Sequence, residues 1–319
     1  MNKNLRIIFI GTPDFAVETL RAIHESGRNV VAVITAPDKK AGRGQKIQVS
    51  AVKEYALAQN LALLQPSNLK DEVFLKELAA FNADLQIVVA FRMLPELVWN
   101  MPRLGTFNLH ASLLPKYRGA APINWAIING EKETGLTTFF LKHQIDTGDV
   151  LLQKTIPIKE NETAGSLHDT LMLAGGKLVL ESLEIIEQGD IQLKQQAQLE
   201  HSENAPLAPK IFKEDCRIDW QKTAKEIDRL VRGMSPYPAA WTKIIDNDSG
   251  KKLQLKIYEV SILDETSGAA GKIELNEGRL KIGASDKFLE IIELQLEGKK
   301  RMSAKALING FDTQNYLID

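Results

Sequence analysis

Short apolar runs with a β-branched bias, each followed by a segment of helical spacing, constrain this 319-residue chain more than any other feature. Residues 5–10, 30–34, 62–64 and 85–90 read as buried strands, and residues 15–27, 52–58 and 69–81 space their apolar side chains as helices do. Strands apolar along their whole length are covered on both faces. In a strand–helix succession that means α/β: a doubly wound, mostly parallel, Rossmann-like sheet. Gly11-Thr12-Pro13-Asp14 stands where a dinucleotide loop would, but G-x-G-x-x-G is missing and Pro13 removes a backbone donor, which argues against such a cofactor.

Beyond this succession, residues 106–110 alternate, so that Thr106, Asn108 and His110 share one face of a strand. Residues 122–129 form a short helix with Pro122 in its first turn and Gly130 after its end. Residues 135–141 and 150–158 are strands, and residues 163–188 a long helix capped by Thr163 or Ser166. The Gln-rich, Pro-containing stretch 189–206 reads as a linker. After it come one helix, residues 223–233, and five short β-patterned runs at 240–245, 253–260, 271–274, 279–282 and 288–296, the signature of a small C-terminal OB-like β-barrel. The expected organisation is thus a first domain at 1–188, a linker at 189–206 and a second domain at 207–319.

With 40 Lys+Arg against 41 Asp+Glu, the chain cannot coat nucleic acid through bulk charge. Local basic runs exist: Lys39, Lys40, Arg43, Lys46 and Lys53 around two glycines; Lys222, Lys225, Arg229 and Arg232 on the later helix; and Lys299, Lys300 and Arg301. Charge runs are usually solvated surface, and that is the first reading of each; a nucleic-acid face is the alternative. One cysteine, Cys216, excludes an intrachain disulfide or a Cys-based metal site and fits a reducing, cytoplasmic setting. No apolar run approaches the roughly 20 residues of a membrane helix, so no membrane partner is expected.

In an open α/β sheet, ligands bind beyond the carboxyl ends of the strands, where Asn108, His110 and Asp146 are expected to fall. An amide, an imidazole and a carboxylate converging on one crevice supply an oxyanion donor, a proton carrier and an anion that orients the ring, a set suited to acyl transfer without a metal. A hydrogen-bonded structural histidine is the competing reading. Asp146-Thr147-Gly148 matches half of an aspartic protease site, but no second half exists in the chain.

Longer stretches carry a resemblance. Phe9-Ile10-Gly11-Thr12-Pro13-Asp14-Phe15-Ala16-Val17, Ala36-Pro37-Asp38, Gly42-Arg43-Gly44, the run from Asn108-Leu109-His110 through Pro122-Ile123-Asn124-Trp125, Asp146-Thr147-Gly148-Asp149, Arg217-Ile218-Asp219-Trp220, Pro236-Tyr237-Pro238-Ala239-Ala240-Trp241 and Gly298-Lys299-Lys300 together resemble the methionyl-tRNA formyltransferase family of folate-dependent formyltransferases. The resemblance covers both domains. It implies formyl transfer from 10-formyltetrahydrofolate to the methionine α-amino group of initiator methionyl-tRNA by a monomer, with Asn108, His110 and Asp146 catalytic. It further implies folate contacts from Ser112, Leu113, Leu114 and Pro115 and from Arg92, Met93 and Leu94, and tRNA contacts from Lys39, Lys40, Arg43 and Lys46. Lys142-His143-Gln144-Ile145 departs from the family pattern, and His143 is expected to be a solvated loop residue. A formyltransferase for a small amine, such as glycinamide ribonucleotide or an amino-sugar nucleotide, or a 10-formyltetrahydrofolate hydrolase, would share the three catalytic residues; the small-amine enzyme would not need the barrel or the basic loop.

Overall fold

The structure of the protein, a computed structural model, describes residues 4–41, 46–199, 203–276, 278–309 and 315–319. It divides into two compact units, one of Met1–Gly119, Glu133–Pro157 and His168–Ala208, the other of Ala120–Lys132, Ile158–Leu167 and Pro209–Asp319.

In chain order the elements begin with β1 (Ile7–Gly11), α1 (Asp14–Glu25), β2 (Val30–Ile34), β3 (Lys39–Ala41), β4 (Lys46–Gln48), α2 (Ala51–Ala58), β5 (Leu63–Leu64), α3 (Glu72–Ala80), β6 (Leu85–Val89), α4 (Glu96–Trp99) and β7 (Thr106–His110). They continue with β8 (Arg118–Gly119), α5 (Pro122–Ile128), β9 (Glu133–Phe140), β10 (Val150–Pro157), α6 (Ala164–Gln188) and β11 (Leu207–Ala208). The main sheet has the order β10-β9-β7-β6-β1-β2-β5. Its β5, β2, β1, β6 and β7 run parallel, while β9 and β10 extend it antiparallel. The expected Rossmann-like sheet is therefore present, with an antiparallel edge.

Each face of the sheet has its cover. Ile8, Ile10, Ala32, Ile34 and Val88 pack with Phe74 and Leu78 of α3. On the other face α6 approaches closely at two glycines: a Cβ on Gly175 would lie only 2.8 Å from Leu109, and one on Gly176 3.1 Å from Ala22 of α1. Since Leu109 points to α6, alternation turns Asn108 and His110 to the opposite face, where Asn108 neighbours Val88 in register. Caps fix the helix starts. Ser50 accepts the Lys53 N–H at 3.1 Å, Asp71 accepts those of Val73 and Phe74, and Thr163, one of the two expected caps, accepts that of Ser166 at 3.2 Å.

The second unit has its own core, with Trp220, Trp241, Ile257, Leu289 and Leu294 buried together beneath α7 (Ala224–Met234). Its strands are β12 (Ala240–Asp246), β13 (Lys252–Thr266), β14 (Ile273–Asn276), β15 (Arg279–Gly283), β16 (Lys287–Leu296), β17 (Met302–Ser303) and β18 (Tyr316–Ile318), with α8 (Ala304–Ile308) between the last two. Antiparallel pairing in the order β14-β15-β16-β13-β12-β18, with β17 on β16, gives a nearly closed barrel: a Cβ added to Gly271, just before β14, would lie 3.5 Å from Ile318 of β18. The five expected strands are there; β17, β18 and α8 are additional.

Phe107 is fully buried between the layers of the first unit. Phe107→Ala should lower the unfolding free energy by about 3–5 kcal/mol, read from a shifted urea midpoint at unchanged slope.

Candidate active site

His110 ends β7 with its side chain nearly enclosed. Its Nε2 stands 2.8 Å from the backbone oxygen of Tyr117. A carbonyl can only accept, so Nε2 carries a proton and donates. Nδ1 faces the Asp146 carboxylate at 3.9 Å, beyond hydrogen-bond range, which leaves that nitrogen able to engage a third group between them. The same Asp146 oxygen accepts the Gly119 N–H at 2.9 Å. Asn108, two residues before His110 on the same face, is half-buried, and its carboxamide has no hydrogen bond among the described residues. Three of the expected catalytic residues are thus brought together, one fixed at each end and one uncommitted.

Asp146 arrives by a route the strand count did not suggest. Because β9 runs antiparallel, its carboxyl end lies beside the amino end of β7, where the Leu141 N–H donates to Thr106 O at 2.8 Å. The segment from Lys142 to Asp149 must then return along β7 to present Asp146 to His110. Asp146 itself has φ 54°, in the left-handed region. Gly148 is obligatory there, as a Cβ would overlap the Phe140 carbonyl at 1.6 Å. His143, in the same segment, is exposed as expected and leans edge-on against Trp99 with centroids 5.5 Å apart.

The expected folate residues divide into two kinds. Ser112, Leu114 and Pro115 are buried. The Ser112 hydroxyl donates to Lys116 O, Thr137 Oγ1 donates to Ser112 O and receives the Leu114 N–H, and Gln153 Nε2 donates to Leu114 O. Leu113 lies over Gly135. These groups shape the turn after β7 and show no free side-chain polar group toward a ligand. The loop after β6 is different. The Arg92 guanidinium donates to the carbonyls of Pro66 and Ser67, at 2.5 and 3.0 Å, and Leu94 is buried in the core. The backbone groups of Arg92, Met93 and Leu94, however, make no hydrogen bond among the described residues. This loop borders a cleft of about 1000 Å³ whose lining includes Lys70, Arg92, Met93, Leu97 and Met101. Met93 is 76% exposed and Leu97 63%.

Where a basic loop is expected, β3 and β4 pair as an antiparallel ribbon that carries Lys39, Lys40 and Lys46 on its backbone. Arg43 lies outside the described residues. Lys53, grouped with this patch by sequence, is instead held at 2.6 Å by Asp38, which also accepts from Gln65.

Three contributors escaped sequence reasoning: the Tyr117 carbonyl, the Gly119 N–H and Gln196. The first two are backbone groups, for which side-chain chemistry gives no signal. Gln196 lies in the stretch read as linker, yet it is 3% exposed and bonded to the Asp146 loop. Among the described residues no cluster of three His, Cys, Asp or Glu could hold a metal, and no helix is long and apolar enough to cross a membrane.

The family model described as Formyl transferase matches residues 5–183, and that described as Formyl transferase, C-terminal domain, matches residues 210–312. The chain is 53% identical over 311 residues to a methionyl-tRNA formyltransferase of Bacteroides fragilis, covering 97% of this chain and 96% of that one. It is 56% identical over 309 residues to the methionyl-tRNA formyltransferase of Flavobacterium johnsoniae, with the same shares covered. Among solved structures, HypX from Aquifex aeolicus in complex with tetrahydrofolic acid superposes with a TM-score of 0.64 at 21% identity, over 96% of this chain and 47% of that one.

Hydrogen bonds from Lys53 and Gln65 hold the Asp38 carboxyl below its ordinary value of 3.8. The stabilisation from this pairing is present above the unfolded-state value and is lost as pH falls through the lower folded one. In an NMR titration the Asp38 carboxyl should show a midpoint under 3.8, and Lys53→Ala should move that midpoint upward.

Proposed function

The chain belongs to the formyl transferase family, among the methionyl-tRNA formyltransferases, and we propose that it transfers the formyl group of 10-formyltetrahydrofolate to the α-amino group of methionine on initiator tRNA. The observation that carries the chemistry is the geometry around His110: Nε2 anchored on Tyr117 O, Nδ1 open toward Asp146, and an uncommitted Asn108 carboxamide on the same strand face. Likeness along nearly the whole of both chains supports the tRNA substrate over a small amine.

The folate supplies a formyl carbon bonded to N10, which departs as an amine when the methionine nitrogen takes its place. Asn108 and the Nδ1 side of His110 hold the negative charge that develops on the formyl oxygen. Asp146 balances a proton on Nδ1 and lies close enough to receive and pass on the proton that the attacking nitrogen must lose before N10 picks one up. The net change is one C–N bond formed and one broken, with one proton moved between nitrogens. The unpaired backbone groups of Arg92, Met93 and Leu94, beside apolar Met93 and Leu97, suit a flat heterocycle with polar edges. Ser112, Leu113, Leu114 and Pro115 meet the folate from the turn after β7, whose backbone their hydrogen bonds fix. Lys39, Lys40, Arg43 and Lys46 meet the tRNA, Arg43 reading its acceptor end and the lysines its phosphates. We propose further that the reaction runs in the cytoplasm and that a monomer carries it out.

Incubation with charged initiator tRNA and 10-formyltetrahydrofolate should yield formylmethionyl-tRNA, and release of formate without it would overturn the reading in favour of a hydrolase. His110→Ala and Asp146→Ala should each cost roughly two to four decades of turnover, and the double variant should be scarcely worse than the worse single one. Arg43→Ala should reduce kcat/KM for initiator far more than for elongator methionyl-tRNA. Equal proportional losses would assign the selection of the initiator to another part of the protein.

A further inference from the structure

We infer that Gln196 is a positioning residue for this reaction, holding the Asp146 carboxylate in place against His110; the inference rests on the role of Asp146 proposed above. The Gln196 carboxamide uses both of its ends. Its oxygen accepts from Arg118 Nε at 3.0 Å and Nη2 at 2.6 Å, and its nitrogen donates to the carbonyls of Asp146 at 2.9 Å and Gly148 at 2.8 Å. A carboxylate could not donate to the two carbonyls, and an ammonium could not accept from the guanidinium, so the position demands an amide.

The loop it grips needs holding. Asp146 sits in the left-handed region, which a residue with a Cβ keeps only when its surroundings over-determine it. Gly148 is pressed against the Phe140 carbonyl on one side, and Gln196 closes the other. The opposite end of the clamp is equally placed. Arg118 lies between Tyr117, whose carbonyl anchors His110, and Gly119, whose N–H binds Asp146. One buried carboxamide therefore ties the peptide that fixes both members of the pair to the loop that carries one of them. The same stretch of chain braces that peptide a second time, as Leu207 and Ala208 pair with Arg118 and Gly119 and Pro206 O receives the Tyr117 N–H.

The test is Gln196→Met, which keeps length and volume but none of the four bonds. Expected are a fall in kcat of roughly 10- to 100-fold, as for a catalytic group displaced by about 1 Å, and KM values for folate and tRNA within about twofold of the parent. The Gly119 amide hydrogen should exchange at least about tenfold faster, while those of β6 and β7 keep their rates. In an Asp146→Ala background Gln196→Met should cost nothing further, because it acts through that carboxylate. An unchanged kcat, or a loss carried in full into the Asp146→Ala background, would overturn the inference. Should Gln196→Met fail to fold, Gln196→Glu, which keeps the Arg118 contact but repels both carbonyls, must show the same selective fall in kcat, and parental turnover in it would equally overturn the inference. If the unaltered protein formylates no tRNA, the functional reading fails, and the exchange rate at Gly119 still decides whether Gln196 clamps the loop.

Discussion

A backbone carbonyl has lone pairs and no proton, and that asymmetry at Tyr117 orders the site around it. It allows His110 Nε2 no role but donor, which fixes the ring plane and leaves Nδ1 as the nitrogen that can meet another group. The carbonyl points the right way because Tyr117 takes a positive φ of 61° and its own N–H is held by Pro206. The turn that delivers it is fastened by Ser112, Thr137 and Gln153. Buried hydrogen bonds of this kind add little net stability each, but leaving one of them unmade is costly, so the network tolerates few arrangements.

The antiparallel entry of β9 is the feature that separates this sheet from a plain doubly wound one. Five parallel strands put the loops after β6 and β7 side by side, which brings the Arg92 to Leu94 backbone near the strand bearing Asn108 and His110. Reversal at β9 lets a carboxylate approach the same strand from the other end. A third loop at the carboxyl edge would have had to share space with the first two. Passing along the face avoids that crowding at the cost of a left-handed Asp146 and a glycine at 148.

Much of the fold was legible in the sequence because its signals are local. The apolar runs around Ile8, Val33 and Ile87 and the alternation at Thr106 to His110 require only that strands be buried and pleated. Asn108 and His110 stood out through the alternation of their strand, and Asp146 with them through the longer stretches that resemble one family. What escaped depends on contacts far apart in sequence. The β8–β11 pair joins Arg118 to Leu207, and each partner is only two residues long, too short for periodicity to register. Gln196 looks like its neighbours Gln192, Gln195 and Gln198; nothing in composition distinguishes the buried one. Direction was also hidden, since an apolar strand reads the same whether it runs parallel or antiparallel, and so the course of the Asp146 loop had no sequence signature.

The chain reaches back from Gln196 to Ala208 to brace Arg118 and Gly119, and this has a meaning for how the protein comes into being. Synthesis proceeds from the amino end, so Asn108, His110 and Asp146 leave the ribosome well before the peptide that secures them. A nascent chain halted at the end of α6 already owns every side chain the chemistry calls for, but not the struts that set their spacing. The reactive arrangement is then a late event of translation, completed only as Leu207 and Ala208, the last residues of the first unit, emerge.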